Sequence, residues 1–323
     1  LGLASLQDLQ EEFQASTQDR FYPYSSSSSR LLTGNFSVYT KLEKQIARSF
    51  DREAALIFNS GYHANTGILP ALTDKQTLLL ADKLVHASII DGILLSGSPF
   101  LRYRHNDYDQ LERLVQKNAC QYETIIILTE SIFSMDGDVA DLNRLIAIKR
   151  QYPNILLYVD EAHAIGARGK DGARYRRRNK VVSKRSIYCR YFRQGVSVYG
   201  GLFGLFPYDR EYLVNTMRPL IFSTALPPFQ IAWTSFIWEQ LPSFTKEREN
   251  LLAYSRLLAE ALTGKGGEIS QSHIILSLWE RARIAYGKRK SYNEKASTAS
   301  PVRPPTVPKV PPVSASPLRQ TSQ

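Results

Sequence analysis

From Ala54 to His163 the chain alternates two textures. Short apolar runs (AALIF, TLLLA, ETIIILTE and ILLYVDEAH) read as strands, and FLRYR as a shorter one. Between them stand GYHANTGILPAL, HASIIDGILLSG, DYDQLERLVQK and ADLNRLIAIKRQY, whose apolar positions recur at helical spacing. Upstream, SLQDLQEEFQAS opens on a Ser N-cap with early acids, and VYTKLEKQIARSF spaces Leu42, Ile46 and Phe50 helically. The stretch from Tyr24 to Asn35, small and polar, reads as a loop. Apolar strands alternating with amphipathic helices predict an α/β fold whose largely parallel sheet is covered on both faces.

In such a sheet ligands sit beyond the carboxyl ends of the strands. After LIF comes Asn59-Ser60-Gly61-Tyr62, opening a helix whose first N–H groups suit a phosphate; a plain capped turn is the competing reading. After TLLLA comes Asp82 with His86 close behind. After IILTE comes a polar loop from Ser131 to Asp138 that includes Ser134. After LLYV come Asp160 and His163, whose spacing could serve a metal, but no second ligand cluster supports one. An Asp in that place can instead pair with a pyridinium nitrogen. Four polar clusters at successive strand ends carry more weight than any one of them.

Charge changes this picture little. The formal net charge of +11 points first to nucleic acid. Eleven of the 41 Lys and Arg, and one of the 30 acids, fall between Arg168 and Arg193. That leaves 30 bases against 29 acids elsewhere, so the excess belongs to one segment and no nucleic-acid partner is expected. No apolar run approaches the length of a membrane span, and two cysteines make no disulfide framework; a cytoplasmic protein is expected. The chain begins at Leu1 without a methionine, so an N-terminal part is expected to be missing.

The motifs GNFSVYTKLEKQIARSF, IFNSGYHANTGILPAL, ADKLVHASIIDGI, RYRHNDYDQLERL, ESIFSMDGD, YVDEAHAIGARGKDG, NTMRPLIFSTALPP and PVRPPTVP together resemble the α-oxoamine synthases. The likeness runs almost unbroken from Leu1 to about Gly172, resumes from about Arg210 to His273, and ends in an island at Pro301 to Lys309. It implies a three-layer α/β/α fold of type I that uses pyridoxal 5'-phosphate (PLP), with a smaller C-terminal α+β domain. The expected domains are residues 1–225 for PLP binding and 226–323 for the C-terminal part. It implies a homodimer that joins an amino acid to an acyl-CoA with loss of CO₂: L-alanine with a pimeloyl thioester, or alternatively glycine with acetyl-CoA. Carried over residue by residue, Gly61 and Tyr62 would hold the cofactor phosphate and its surroundings, and His86 would stack on the pyridine ring. Ser134 would lie beside the ring, Asp160 would pair with its nitrogen, and His163 would contact its phenolic oxygen. Thr224 would reach the phosphate, and Arg303 and Thr306 would face substrate.

One family residue has no counterpart: the Schiff-base lysine of a GTFGKA-like turn. Gln194 stands at its expected distance, and Lys180 and Lys184 lack flanking glycines. Codons for Phe192-Arg193-Gln194-Gly195, moved by one base, allow Phe-Gly-Lys; the same shift from Arg185 allows the joined text DLFIVGTFGKAF. The C-terminal VSASPLRQTSQ, moved by two bases, allows a sequence like the family's final strand. Residues 173–209, and most of those after 274, therefore read as frame-shifted text that should pack poorly. The chain as written is expected to be inactive, which leaves a non-catalytic binding protein as the rival reading.

Overall fold

A computed structural model describes residues 7–134, 136–169, 172, 186–191, 201–205, 207–263 and 272–274; at 186–191, 201–205, 207–209 and 261–263 it describes the backbone. The described residues fall into two compact units. The first runs to Phe133 and from Val139 to Leu251; the second joins Ser134–Asp138 to the chain from Leu252 onward.

The first unit is built on a seven-stranded sheet. In chain order the elements are α1 (Gln7–Thr17), α2 (Ser37–Ser49), β1 (Ala54–Phe58), α3 (Gly61–Leu72), β2 (Thr77–Asp82), α4 (Ala87–Ser96) and β3 (Phe100–Tyr103). Then follow α5 (Tyr108–Asn118), β4 (Thr124–Glu130), α6 (Leu142–Gln151), β5 (Ile155–Asp160), β6 (Ser186–Tyr191) and β7 (Gly201–Leu205). Helices α7 (Pro207–Thr216), α8 (Arg218–Ile221), α9 (Pro228–Gln240) and α10 (Thr245–Thr263) close the described order.

The strand order is β1-β7-β6-β5-β4-β2-β3. Pairing is parallel from β3 through β2, β4 and β5 to β6, and antiparallel where β7 meets β6 and β1. The expected parallel sheet is there, with β4 and β5 at its middle. The strands β6 and β7 lie within residues 173–209, read from the sequence as displaced text, for which the sequence predicts no element. Their pairing has a physical reason. A ladder needs only backbone N–H and C=O groups in register, and SIYCRY and GLFGL carry enough branched and aromatic residues to extend.

Sequence sets the element ends as well as their interiors. Asp107 caps α5 by accepting from Gln110 N at 2.8 Å, and Asp141 caps α6 from Asn143 N and Arg144 N. Gly97, at φ 64°, ends α4 in the left-handed conformation that glycine takes without cost. Strand β1 shows how both faces are covered. Leu56 and Phe58 pack into the core made with α3 to α6, whereas Ala55 and Ile57 pack with α2 and α9.

A buried ion pair ties the N-terminal loop to this frame. Arg30 Nη1 lies 2.7 Å from Glu43 Oε1, and both side chains are about 5% exposed. Arg30 also donates to Ile57 O and Asn35 Oδ1 and lies over the Tyr39 ring. Glu43 accepts in addition from Ile57 N and from Arg210 of α7. Each charge is thus fully partnered, the condition under which burial is tolerated.

In the second unit the described residues include the last turns of α10 and the turn Ser272–Ile274, where Ile274 N donates to Ser272 Oγ at 3.1 Å.

Candidate active site

The carboxyl ends of β1, β2, β4 and β5 deliver polar residues to one region of the first unit. Ser60 caps α3 by accepting from His63 N, so Gly61 and Tyr62 occupy its first turn. Amides there have no carbonyl a turn earlier to bond, and they make an anion-seeking corner. Asn59, just before the cap, donates to Thr224 O at 2.7 Å and brings Thr224 to this helix start on the same chain. Tyr62 is half exposed, and its hydroxyl donates to Asp91 Oδ2 at 2.7 Å. That bond raises the Tyr62 pKa above its ordinary value.

One turn further along α3 stands Asn65, fully buried, about 6 Å along the helix axis from Gly61. Its Nδ2 reaches Asp160 Oδ2 at 3.3 Å and Ser88 Oγ at 2.9 Å. Its Oδ1 accepts from Tyr158 Oη at 2.5 Å. Asp160 closes β5 and is 2% exposed; its other oxygen accepts from Ala162 N at 2.9 Å. Asn65 Nδ2 and Ala162 N are thus aimed at its two carboxyl oxygens.

His86 caps α4. Its backbone N donates to the buried Glu130 Oε1 at 2.6 Å, and its Nδ1 lies 2.7 Å from Ser88 Oγ. The residue is exposed to solvent. Partial burial lowers the His86 pKa below its ordinary value, against the opposing pull of Asp91. The helices α3 and α4 come this close because of Gly92, where a Cβ would lie 2.4 Å from Asn65 O.

His86 and Asp160 are therefore joined through Ser88 and Asn65. His163 lies half-buried in the turn that follows β5, three residues beyond Asp160. Ser134 belongs to the second unit. Gln194, Lys180, Lys184, Arg303 and Thr306 lie outside the described residues. Sequence reasoning missed Asn65, Ser88, Glu130, Tyr158 and Asp91. The signal available for Asn65 was a polar residue on the buried face of an otherwise apolar helix.

A second carboxylate–histidine pair sits at the end of β2. Asp82, fully buried, accepts from Leu84 N, Asn106 N and His105 Nδ1. The His105 ring packs edge-on against Phe133. Through Asn106 N and His105, the pair shapes the turn before α5. Among the described residues no group of three or more His, Cys, Asp or Glu could hold a metal ion, and no helix is long and apolar enough to cross a membrane.

Comparison with known proteins bears on the family and the fold. Residues 3–309 match the family described as aminotransferase class I and II. A Haemophilus influenzae (strain 86-028NP) protein named "Putative 8-amino-7-oxononanoate synthase" is 50% identical over 310 residues, covering 96% of this chain and 82% of that protein. The 8-amino-7-oxononanoate synthase of Francisella tularensis superposes with a TM-score of 0.76 at 26% identity, over 94% of this chain and 86% of that one. A serine palmitoyltransferase variant from S. paucimobilis, solved with a bound PLP–myriocin aldimine, superposes with a TM-score of 0.84 at 23% identity, over 95% of this chain and 77% of that one. The strand-end residues, the sheet order and these matches lead to one statement: the chain belongs to the aminotransferase class I and II family, where its motifs stand with the α-oxoamine synthases.

Proposed function

We propose that this chain derives from an enzyme that condenses L-alanine with pimeloyl-CoA, releasing CoA and CO₂ and forming 8-amino-7-oxononanoate. The observation that carries the reading is half identity, over 96% of the chain, to a protein bearing that synthase's name. The described site fits PLP on its own chemistry. Buried Asp160 suits a protonated ring nitrogen, the exposed His86 suits a flat ring, and the first turn of α3 suits a phosphate.

When bound, PLP supplies an electron sink for a carbanion formed at the amino acid's α-carbon. Asp160 would keep a proton on the ring nitrogen and so sustain that sink. His86 would cover one ring face, and the Gly61 and Tyr62 amides would anchor the phosphate end. His163 would contact the phenolic oxygen, and Thr224 would reach the phosphate. The working form is a cytoplasmic homodimer. Phe21, Tyr24, Leu32 and Phe222 support that form, each more than 70% exposed on the single chain.

Gln194 favours a second reading for the literal chain, a non-catalytic binding protein. An amide can neither hold the cofactor covalently nor act as general base. Expressing the chain as written, beside a version restored to the GTFGKA turn, tests both readings. The restored protein should form product from L-alanine and pimeloyl-CoA, and the literal chain none. Turnover only with glycine and acetyl-CoA would refute the substrate assignment, and turnover by the literal chain would refute its inactivity.

A further inference from the structure

The hydrogen bonds around Asn65 have only one consistent direction. A carboxylate can only accept, so the amide must turn Nδ2 toward Asp160 Oδ2. Its second N–H then points to Ser88 Oγ, and Oδ1 takes the Tyr158 hydroxyl. All three polar positions of the side chain are thereby used. Ser88 Oγ, receiving a hydrogen from Asn65, has its own hydrogen left to give, and His86 Nδ1 stands 2.7 Å away. Ser88 N, which can only donate, faces the same ring nitrogen at 3.2 Å. Two donors converge on Nδ1, which must present a lone pair. The proton of the neutral ring then lies on Nε2.

We infer that Asn65 is a positioning residue that, through Ser88, locks His86 as the neutral Nε2–H tautomer while it holds the Asp160 carboxylate. The charges facing His86 are Asp91 on its own helix and Glu130 at the end of β4. Both would draw a proton to the ring, and the donors at Nδ1 oppose them. For the function proposed above, on which this consequence rests, the arrangement is coherent. A pyridine ring kept cationic by Asp160 meets a neutral imidazole face, where an imidazolium would repel it. One amide thus sets the charge on both sides of the ring.

The test is nitrogen NMR of the histidine rings in the full chain without cofactor, near neutral pH. His86 is assigned by the signals lost in His86→Gln. The expected spectrum shows Nε2 protonated and Nδ1 bare, shifted by the hydrogen bond it accepts. In Ser88→Ala the Nδ1 signal should move toward that of an unbonded ring nitrogen, and Ser88→Thr should return it. In Asn65→Leu the freed hydroxyl can accept from Nδ1, so a second population protonated there should appear. If Asn65→Leu does not fold, the Ser88 pair still decides. Protonation at Nδ1 in the unaltered chain, or an Nδ1 signal unmoved by Ser88→Ala, overturns the inference. Titrating PLP into the GTFGKA-restored protein keeps the two ideas apart: the expected tautomer without PLP binding would sink the functional reading alone.

Discussion

Strands β5 and β6 lie side by side in one sheet, yet they came from different kinds of sequence. β5, with β4 beside it, is an apolar run ending in an acid. The final pair Glu130 and Asp160 stand opposite each other in register and serve His86 and Asn65 respectively. β6 pairs with β5 from Leu157↔Ser186 to Asp160↔Cys189, but its residues belong to none of the family motifs. The comparison separates two demands on a strand. Continuing a sheet needs extended backbone in register. Building a site needs particular side chains at the strand's end, and β5 supplies one in Asp160.

The largest effect sharpens that contrast directly. Restoring the GTFGKA turn should raise product formation from none to a measurable turnover, and Asp160→Asn in the restored protein should take it away again. An equal rate in the restored and literal chains, read by product mass, would break the comparison. Next comes the frame on the β1 side. Glu43→Ala leaves Arg30 buried without its carboxylate and should cost about 3–5 kcal/mol in a urea melt. A smaller loss would mean the pair is less shielded than its burial implies. Gly92→Ala drives a methyl into the backbone of α3 and should cost about 1–3 kcal/mol by the same measurement. It should also disturb the His86 ring signals, since it separates Ser88 from Asn65.

The smallest effect is on pH. His86 has its folded pKa below the ordinary 6.5, so the unfolded chain takes up a proton first. The neutral folded form is therefore undisturbed above about 6.5. Stability is lost as pH falls from there toward the folded value, and His86→Gln should flatten that limb of the melting curve.

What was legible in the sequence followed from local physics. β1 to β5 and the helices between them stood out because hydrophobic period and caps agree. In the structure Asp107 and Asp141 cap the starts of α5 and α6, and Gly97 ends α4. β6 and β7 were missed because the surrounding run of Arg and Lys masked two short segments able to extend. In the candidate site, His86 and Asp160 were found as polar residues just beyond apolar strands, and the structure links them. Asn65, Ser88 and Glu130 were not found. Their role lies in pairing across the α3–α4 contact and the β4 end, and no spacing along one element reveals a partner on another.

The place of β1 has a consequence for how the chain is made. Among the described residues β1 pairs only with β7, in a register that sets Ala54 against Leu205, a span of nearly half the 323 residues. On the ribosome the early strand must wait through the synthesis of every other described strand before its neighbour exists, and contacts so distant in sequence form slowly. During that interval AALIF is an apolar edge with open backbone groups, the kind of surface that recruits other chains. A sequence change confined to the last strand would thus be felt first as aggregation nucleated by the earliest one.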